Sequence, residues 1–194
     1  SGVPTTAVFV SSAVSGTDEG SHTFSAQSIG TAATGRFVVV GVVTRAASAR
    51  TIASVTVGGI ALAQMTKFDN TATTLAFWGG YVPTGTTADI AVALTSSTWV
   101  RVAIAVWAVT GLRSTTPFGT GSDTTMVTGV MSTTCNIPAA GIALALIYAG
   151  TVNTWTWVGL TKGADDSIES SSPGYASDSF VQAQTARTVS ATGS

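Results

Sequence analysis

The feature that most constrains the fold of this chain is an alternation of large apolar and small residues with a period of two. It is clearest in the segments 90–94, 102–106 and 142–146, where isoleucine, valine or leucine stands at every second position and alanine stands between. Successive side chains of a strand point to opposite faces of a sheet, so this period fits strands and not helices. We expect an all-β chain of about a dozen short strands.

The alternation and the intervening turn residues place the individual strands. The expected strands are Ala7–Val14, His22–Ile29, Arg36–Thr44, Thr51–Val57, Ile60–Lys67, Thr74–Val82, Asp89–Leu94, Trp99–Gly111, Met126–Cys135, Gly141–Tyr148, Thr154–Leu160, Ser177–Gln182 and Thr185–Ala191.

Turn signals favour antiparallel neighbours. Gly58 and Gly59 separate two short β-type runs and suit a two-residue hairpin turn, because glycine adopts a positive φ without strain. The segment 163–175, with its acidic residues and serine run, is typical of a long exposed loop. A chain of 194 residues is long enough for one core, so we expect a single jelly-roll-like antiparallel β-sandwich domain over residues 1–194.

The low charge content narrows the classes of partner. Only 9% of residues are charged, against roughly 25% in an average domain. The eight lysines and arginines are scattered, whereas phosphate or anionic lipid requires clustered cations. The apolar runs are shorter than the roughly 20 residues of a membrane span. We therefore expect no nucleic-acid partner and no membrane insertion, and no signal peptide is visible.

Few residues are of the types that act in catalysis or bind metal ions. The single histidine, His22, and the single cysteine, Cys135, cannot supply a zinc site of the usual kind, and no nucleophile elbow motif occurs. The one local acidic cluster is Asp165, Asp166 and Glu169, which matches no calcium loop, and the sequence leaves calcium binding there open. We expect no catalytic residues, no resident metal and no cofactor.

Aromatic residues near the carboxyl end suggest one ligand-like feature. Trp155 and Trp157 are two positions apart, so they share one face of a strand, and Tyr175 follows in the next loop. Exposed aromatic rings stack on sugars, so these three residues could form a glycan platform. The alternative is that both tryptophans fill the core, as we also expect for Trp78, Trp99 and Trp107.

Six alanines alternate with the large aliphatic residues. If the three alternating strands are neighbours in one sheet, these alanines tile its outer face. Alanine packs little at a solvent-facing strand position, so the face could be covered by a loop or a second chain, or it could be a tolerated exposed surface. The residues of this candidate interface are Ala91, Ala93, Ala103, Ala105, Ala143 and Ala145.

Four segments resemble β-sandwich structural proteins of tailed bacteriophages and prophages. They are RTIASVTVGGIALAQ (50–64), YVPTGTTADI (81–90), RVAIAVWAVTGL (101–112) and TARTVSAT (185–192). The resemblance lies in strand and turn texture and includes no catalytic motif. It implies a virion part, such as a capsid decoration protein, a head fibre or a tail-fibre domain, that is made in the host cytoplasm.

Two functions from different classes follow. A structural virion protein would bind other virion proteins and copies of itself, and would bury part of its surface between them. A carbohydrate-binding module would attach to a host-surface glycan and would expose Trp155, Trp157 and Tyr175 around a shallow groove.

Overall fold

The computed structural model describes residues 4–95, 100–125, 129–150, 154–168 and 171–194, and every regular element in these ranges is a β-strand. The strands are β1 (Thr6–Ser15), β2 (Ser21–Ser28), β3 (Phe37–Arg45), β4 (Ile52–Val57), β5 (Ile60–Ala61), β6 (Ala63–Asn70), β7 (Thr73–Tyr81), β8 (Thr87–Leu94), β9 (Arg101–Thr110), β10 (Val130–Ile137), β11 (Gly141–Ala149), β12 (Trp155–Val158), β13 (Thr161–Asp165), β14 (Ser172–Phe180) and β15 (Gln184–Gly193).

The all-β antiparallel class is confirmed, but the strands form four sheets. Sheet 1 has the order β2-β8-β4-β5, sheet 2 β1-β9-β3-β7-β6, sheet 3 β11-β14-β13 and sheet 4 β10-β15-β12. All pairings between these strands are antiparallel. The jelly-roll topology is not confirmed.

Sheet 2 is covered by apolar side chains on both of its faces. On one face Val40 and Ile104 pack with Val92 and other residues of sheet 1. On the other face Val39 and Trp107 pack with residues of sheet 3, among them Tyr175. The nearly continuous valine run of β3 indicates a strand buried on both faces, and the structure confirms it, since only Arg45 of β3 is not fully buried.

Sheets 3 and 4 enclose a third apolar layer. Ala143, Ala145 and Ala176 of sheet 3 face Val189 and Trp157 of sheet 4. The sheets are therefore stacked in the order 1-2-3-4, and strands β1 to β9 build the first two layers while β10 to β15 build the last two.

The prediction of a long exposed loop over residues 163–175 is wrong. Residues 163–165 belong to β13, and Ser172–Tyr175 form the buried start of β14. The cause is close packing: a β-carbon built on Gly174 would lie 2.4 Å from Cδ1 of Trp155. Small residues at a tight contact between sheets look the same in sequence as the small polar residues of a loop.

The expected hairpin at Gly58 and Gly59 is confirmed, with φ of 57° and 81° at the two glycines. The expectations for Trp99, for Glu169 and for a strand start at 126–128 lie outside the described residues. No described segment is a helix long and apolar enough to cross a membrane.

Candidate interaction groove

Sheet 2 has five strands, whereas sheet 3, which covers one of its faces, has three. Part of sheet 2 is therefore left uncovered and forms the floor of a groove. Strand β13 lies over β1, since a β-carbon built on Gly163 would be 2.7 Å from the Phe9 ring. Strand β11 lies over β3, since a β-carbon on Gly41 would be 2.7 Å from Leu146. Sheet 3 ends at β11, so the next two strands of sheet 2, β7 and β6, extend beyond it as an overhang.

A groove of about 710 Å³ lies along this overhang. Its floor is apolar and includes Met65, Phe68, Leu75 and Phe77. One wall is β11, and segment 112–124 lines the side towards sheet 4. A second cavity, of about 440 Å³, shares Thr73 and Tyr148 with the groove and is lined by Asp18 and Arg101.

The wall strand β11 has an open edge. It pairs with β14 on one side, and no other described residue forms a backbone hydrogen bond with residues 142–149. Its sequence, GIALALIYA, contains no charge and no proline. Exposed edge strands usually carry lysine, proline or a covering segment, because a bare edge can pair with another chain.

The neighbouring edges are protected in those ways. Edge strand β6 carries Lys67 and Asp69, whose Nζ and Oδ2 atoms are 2.6 Å apart. Edge strand β10 is accompanied by segment 119–124, where Asp123 accepts hydrogen bonds from the backbone N–H of Ser132 at 2.8 Å and of Thr125 at 2.9 Å. These bonds lower the pKa of Asp123. Strand β11 is thus the unprotected edge facing the groove.

The aromatic platform expected from the sequence is not exposed. Trp155 is 1% exposed, and its Nε1 donates to the Ser172 carbonyl at 3.0 Å. Trp157 shares its face, as expected, and is partly buried against the apolar cluster that includes Leu160 and Val189. Tyr175 is fully buried against Phe9 and Trp107. Because stacking on a sugar requires an exposed ring face, these residues do not form the expected platform.

The prediction that the six alanines share one face is wrong, because their strands β8, β9 and β11 lie in three different sheets. Ala103 and Ala105 are fully buried under sheet 3 of the same chain. Ala143 and Ala145 face sheet 4 and line the inner side of the groove. Ala91 and Ala93 are partly exposed on sheet 1, and their role in an interface stays a prediction.

Of the acidic cluster, Asp165 lies against β12 of sheet 4, and Asp166 lies at the seam between sheets 2 and 3. Asp165 is ion-paired with Lys162 and accepts a hydrogen bond from the backbone N–H of Trp155 at 3.0 Å. Burial raises the pKa of Asp166, although Ser12 and Tyr175 lie close enough to oppose the shift. Oδ2 of Asp166 and the Tyr175 hydroxyl have no hydrogen-bond partner with good geometry. The described residues contain no group of three or more metal-ligand side chains.

His22 lies in the interior of the protein, beside the turn that precedes β2. It is fully buried, and its Nε2 lies 3.0 Å from the Glu19 carbonyl oxygen. Burial lowers the pKa of His22, which favours the neutral ring. The histidine therefore fixes the turn before β2 and faces neither cavity.

Sequence reasoning missed the groove while predicting its strands. Strand β11 and most of β7 were expected within a residue of their observed bounds. The charge-free sequence of β11 was the available signal, but it is equally typical of a central strand. Only the sheet order shows that β11 is an edge.

No protein-family model matches the chain, and neither the curated proteins nor the solved structures contain a match.

Proposed function

We propose that this chain is a non-enzymatic structural component of a tailed-phage particle and acts by binding other protein chains. The observation that carries the proposal is the open, uncharged edge of β11 above an apolar groove. The virion setting is supported by the sequence resemblance alone.

The groove offers a protein partner two kinds of contact. Its floor supplies apolar surface, whose burial contributes roughly 25 cal/mol per Å². Its wall supplies a row of backbone donors and acceptors, which a β-strand satisfies. Both contacts are independent of charge, in keeping with a chain of which 9% of residues are charged.

The test is incorporation into particles made from the genome that encodes the chain. Particles are purified by density, and the chain is quantified by mass spectrometry. Two variants are compared: Phe68→Lys, which puts a charge on the groove floor, and Val158→Lys at a 62% exposed position outside the groove.

We expect the unaltered chain and Val158→Lys to co-purify with particles at a constant copy number. We expect Phe68→Lys to remain in the unassembled fraction, because burying an unpaired ammonium against apolar partners is costly. Absence of the unaltered chain from particles would overturn the virion proposal. Equal incorporation of both variants would show that the groove does not make the contact.

A further inference from the structure

We propose that the groove binds a single extended segment of another protein chain, which pairs with β11 as a fourth strand of sheet 3. This inference rests on the proposed function, because it specifies what the same groove binds. The occupant is a β-strand with apolar side chains on one face and small polar side chains on the other.

The backbone of β11 selects a strand over other apolar ligands. The edge of β11 away from β14 presents its N–H and C=O groups without a described partner over residues 142–149. A lipid tail or an aromatic ligand would cover the apolar floor and leave these groups unpaired, at a cost of about 1–3 kcal/mol for each buried group. A strand satisfies both surfaces at once.

The overhang supplies the room for that strand. Neighbouring strands in a sheet are about 4.8 Å apart and stacked sheets about 10 Å apart. Strand β11 lies over β3, so a strand added beside it would lie over β7. The new strand would thus extend the apolar contact that already joins sheets 2 and 3.

The same overhang excludes antiparallel pairing of β11 with β11 of a second copy. Antiparallel pairing of two identical strands places the twofold axis perpendicular to the sheet, so both copies would carry sheet 2 on the same side. The β7–β6 overhang of each copy would then occupy the space of the other copy's sheet 2. A separate extended segment avoids this clash.

The walls define the side chains of the occupant. A strand beside β11 shares its faces, so every second side chain would point, like Leu144 and Leu146, towards Leu75 and Phe77 of the floor. The intervening side chains would point towards segment 119–124, which consists of glycine, serine, threonine and Asp123. Alternating leucine or valine with serine or threonine fits both walls.

The test uses synthetic nine-residue peptides, matching the length of β11. The probe alternates leucine or valine with serine or threonine. One control has the same composition with its apolar residues adjacent. Two further peptides carry N-methyl groups on the odd or on the even amides, because one set faces β11 and the other faces away. Affinity is measured by fluorescence anisotropy, and the bound position by amide hydrogen exchange of the full chain.

We expect the probe to bind and to protect alternate amides of β11. One N-methylated peptide should lose about tenfold or more in affinity, since it loses several hydrogen bonds, while the other should bind like the probe. Phe68→Lys should weaken binding and Val158→Lys should not. Equal binding of both methylated peptides, equal binding of the rearranged control, or no protection of β11 at millimolar probe would each overturn the inference.

The outcomes separate this inference from the proposed function. If incorporation into particles depends on Phe68 but the peptides do not bind, the structural function is supported and the strand is rejected as the occupant of the groove. If the chain binds the peptide probe as a strand but is absent from particles, the strand is supported and the virion function is rejected.

Discussion

Arg36 is fully buried and joins two loops at one end of sheets 1 and 2. Its guanidinium donates to four backbone carbonyls, those of Val82, Thr84, Gly85 and Gly30, at 2.7 to 2.9 Å. A planar fork of five donors can reach all four carbonyls at once, whereas an ammonium group cannot. Arg36 therefore satisfies backbone groups that the two loops would otherwise bury unpaired.

We expect Arg36→Lys to lower the free energy of unfolding by roughly 2–4 kcal/mol, because buried carbonyls lose their donors. Urea denaturation measures the change. The exposed Arg113 supplies the matched control, and Arg113→Lys should change stability by about 0.5 kcal/mol or less. Equal effects of the two substitutions would contradict the role assigned to Arg36.

Asp166 makes the seam between sheets 2 and 3 sensitive to pH. Its pKa is raised in the folded chain, first by burial and further by the charge of Asp165. The groups around it are Asp165 with its partner Lys162, Tyr175 of β14 and Ser12 of β1. A raised folded-state pKa means that the native state binds the proton more tightly than the unfolded chain does. This contribution to stability is complete below the unfolded pKa and is lost as pH rises through the folded pKa.

We expect Asp166→Asn to remove this loss, because the amide is neutral at every pH and has a similar shape. The variant should gain stability relative to the unaltered chain as pH rises from the acidic to the neutral range. Thermal unfolding across that range measures the difference. Asp178→Asn, on the partly exposed part of β14, is the control for removing a carboxylate from the same strand. A parallel profile for Asp166→Asn would contradict the prediction.

Strand β14 depends on a glycine at a close contact between sheets 3 and 4. A β-carbon on Gly174 would lie 2.4 Å from Cδ1 of Trp155 and 2.9 Å from Cγ2 of Ile147. We expect Gly174→Ala to cost about 1–3 kcal/mol, the usual range for overpacking a core. Chemical denaturation measures it. Gly16→Ala is the control, since no atom lies within 4 Å of the added carbon there, and a similar loss in both variants would contradict the packing argument.

Long alternations or runs of large apolar side chains placed several strands accurately from the sequence. Strands β1, β3, β7, β8, β9 and β11 were placed within about two residues, the precision usual for strand boundaries, because their alternation or apolar run is long. Strand β13 and the start of β14 were missed because, apart from Tyr175, their inward side chains are small. Alternation reports the size of a side chain and not its burial, so a strand packed through glycine and serine leaves no period-two signal.

The layer order of the whole molecule was beyond sequence reasoning. The sequence predicted a β-sandwich but not that four sheets stack in the order 1-2-3-4 and enclose three apolar layers. Ala103 and Ala105 show why. Their alternation indicates a strand face that is buried by other residues, but it does not identify the strands of sheet 3 that bury it. The groove results from the difference between five strands in sheet 2 and three in sheet 3, which no local pattern encodes.

The open edge of β11 should be visible in the free chain by site-resolved amide hydrogen exchange. Outward-facing amides of an edge strand have no partner, so we expect every second amide of residues 142–148 to exchange rapidly while those bonded to β14 exchange slowly. Strands β3 and β9, each paired on both sides, should be slow at all positions. Uniformly slow exchange along β11 would show that its edge is already paired, and would contradict both the groove as a binding site and the strand as its occupant.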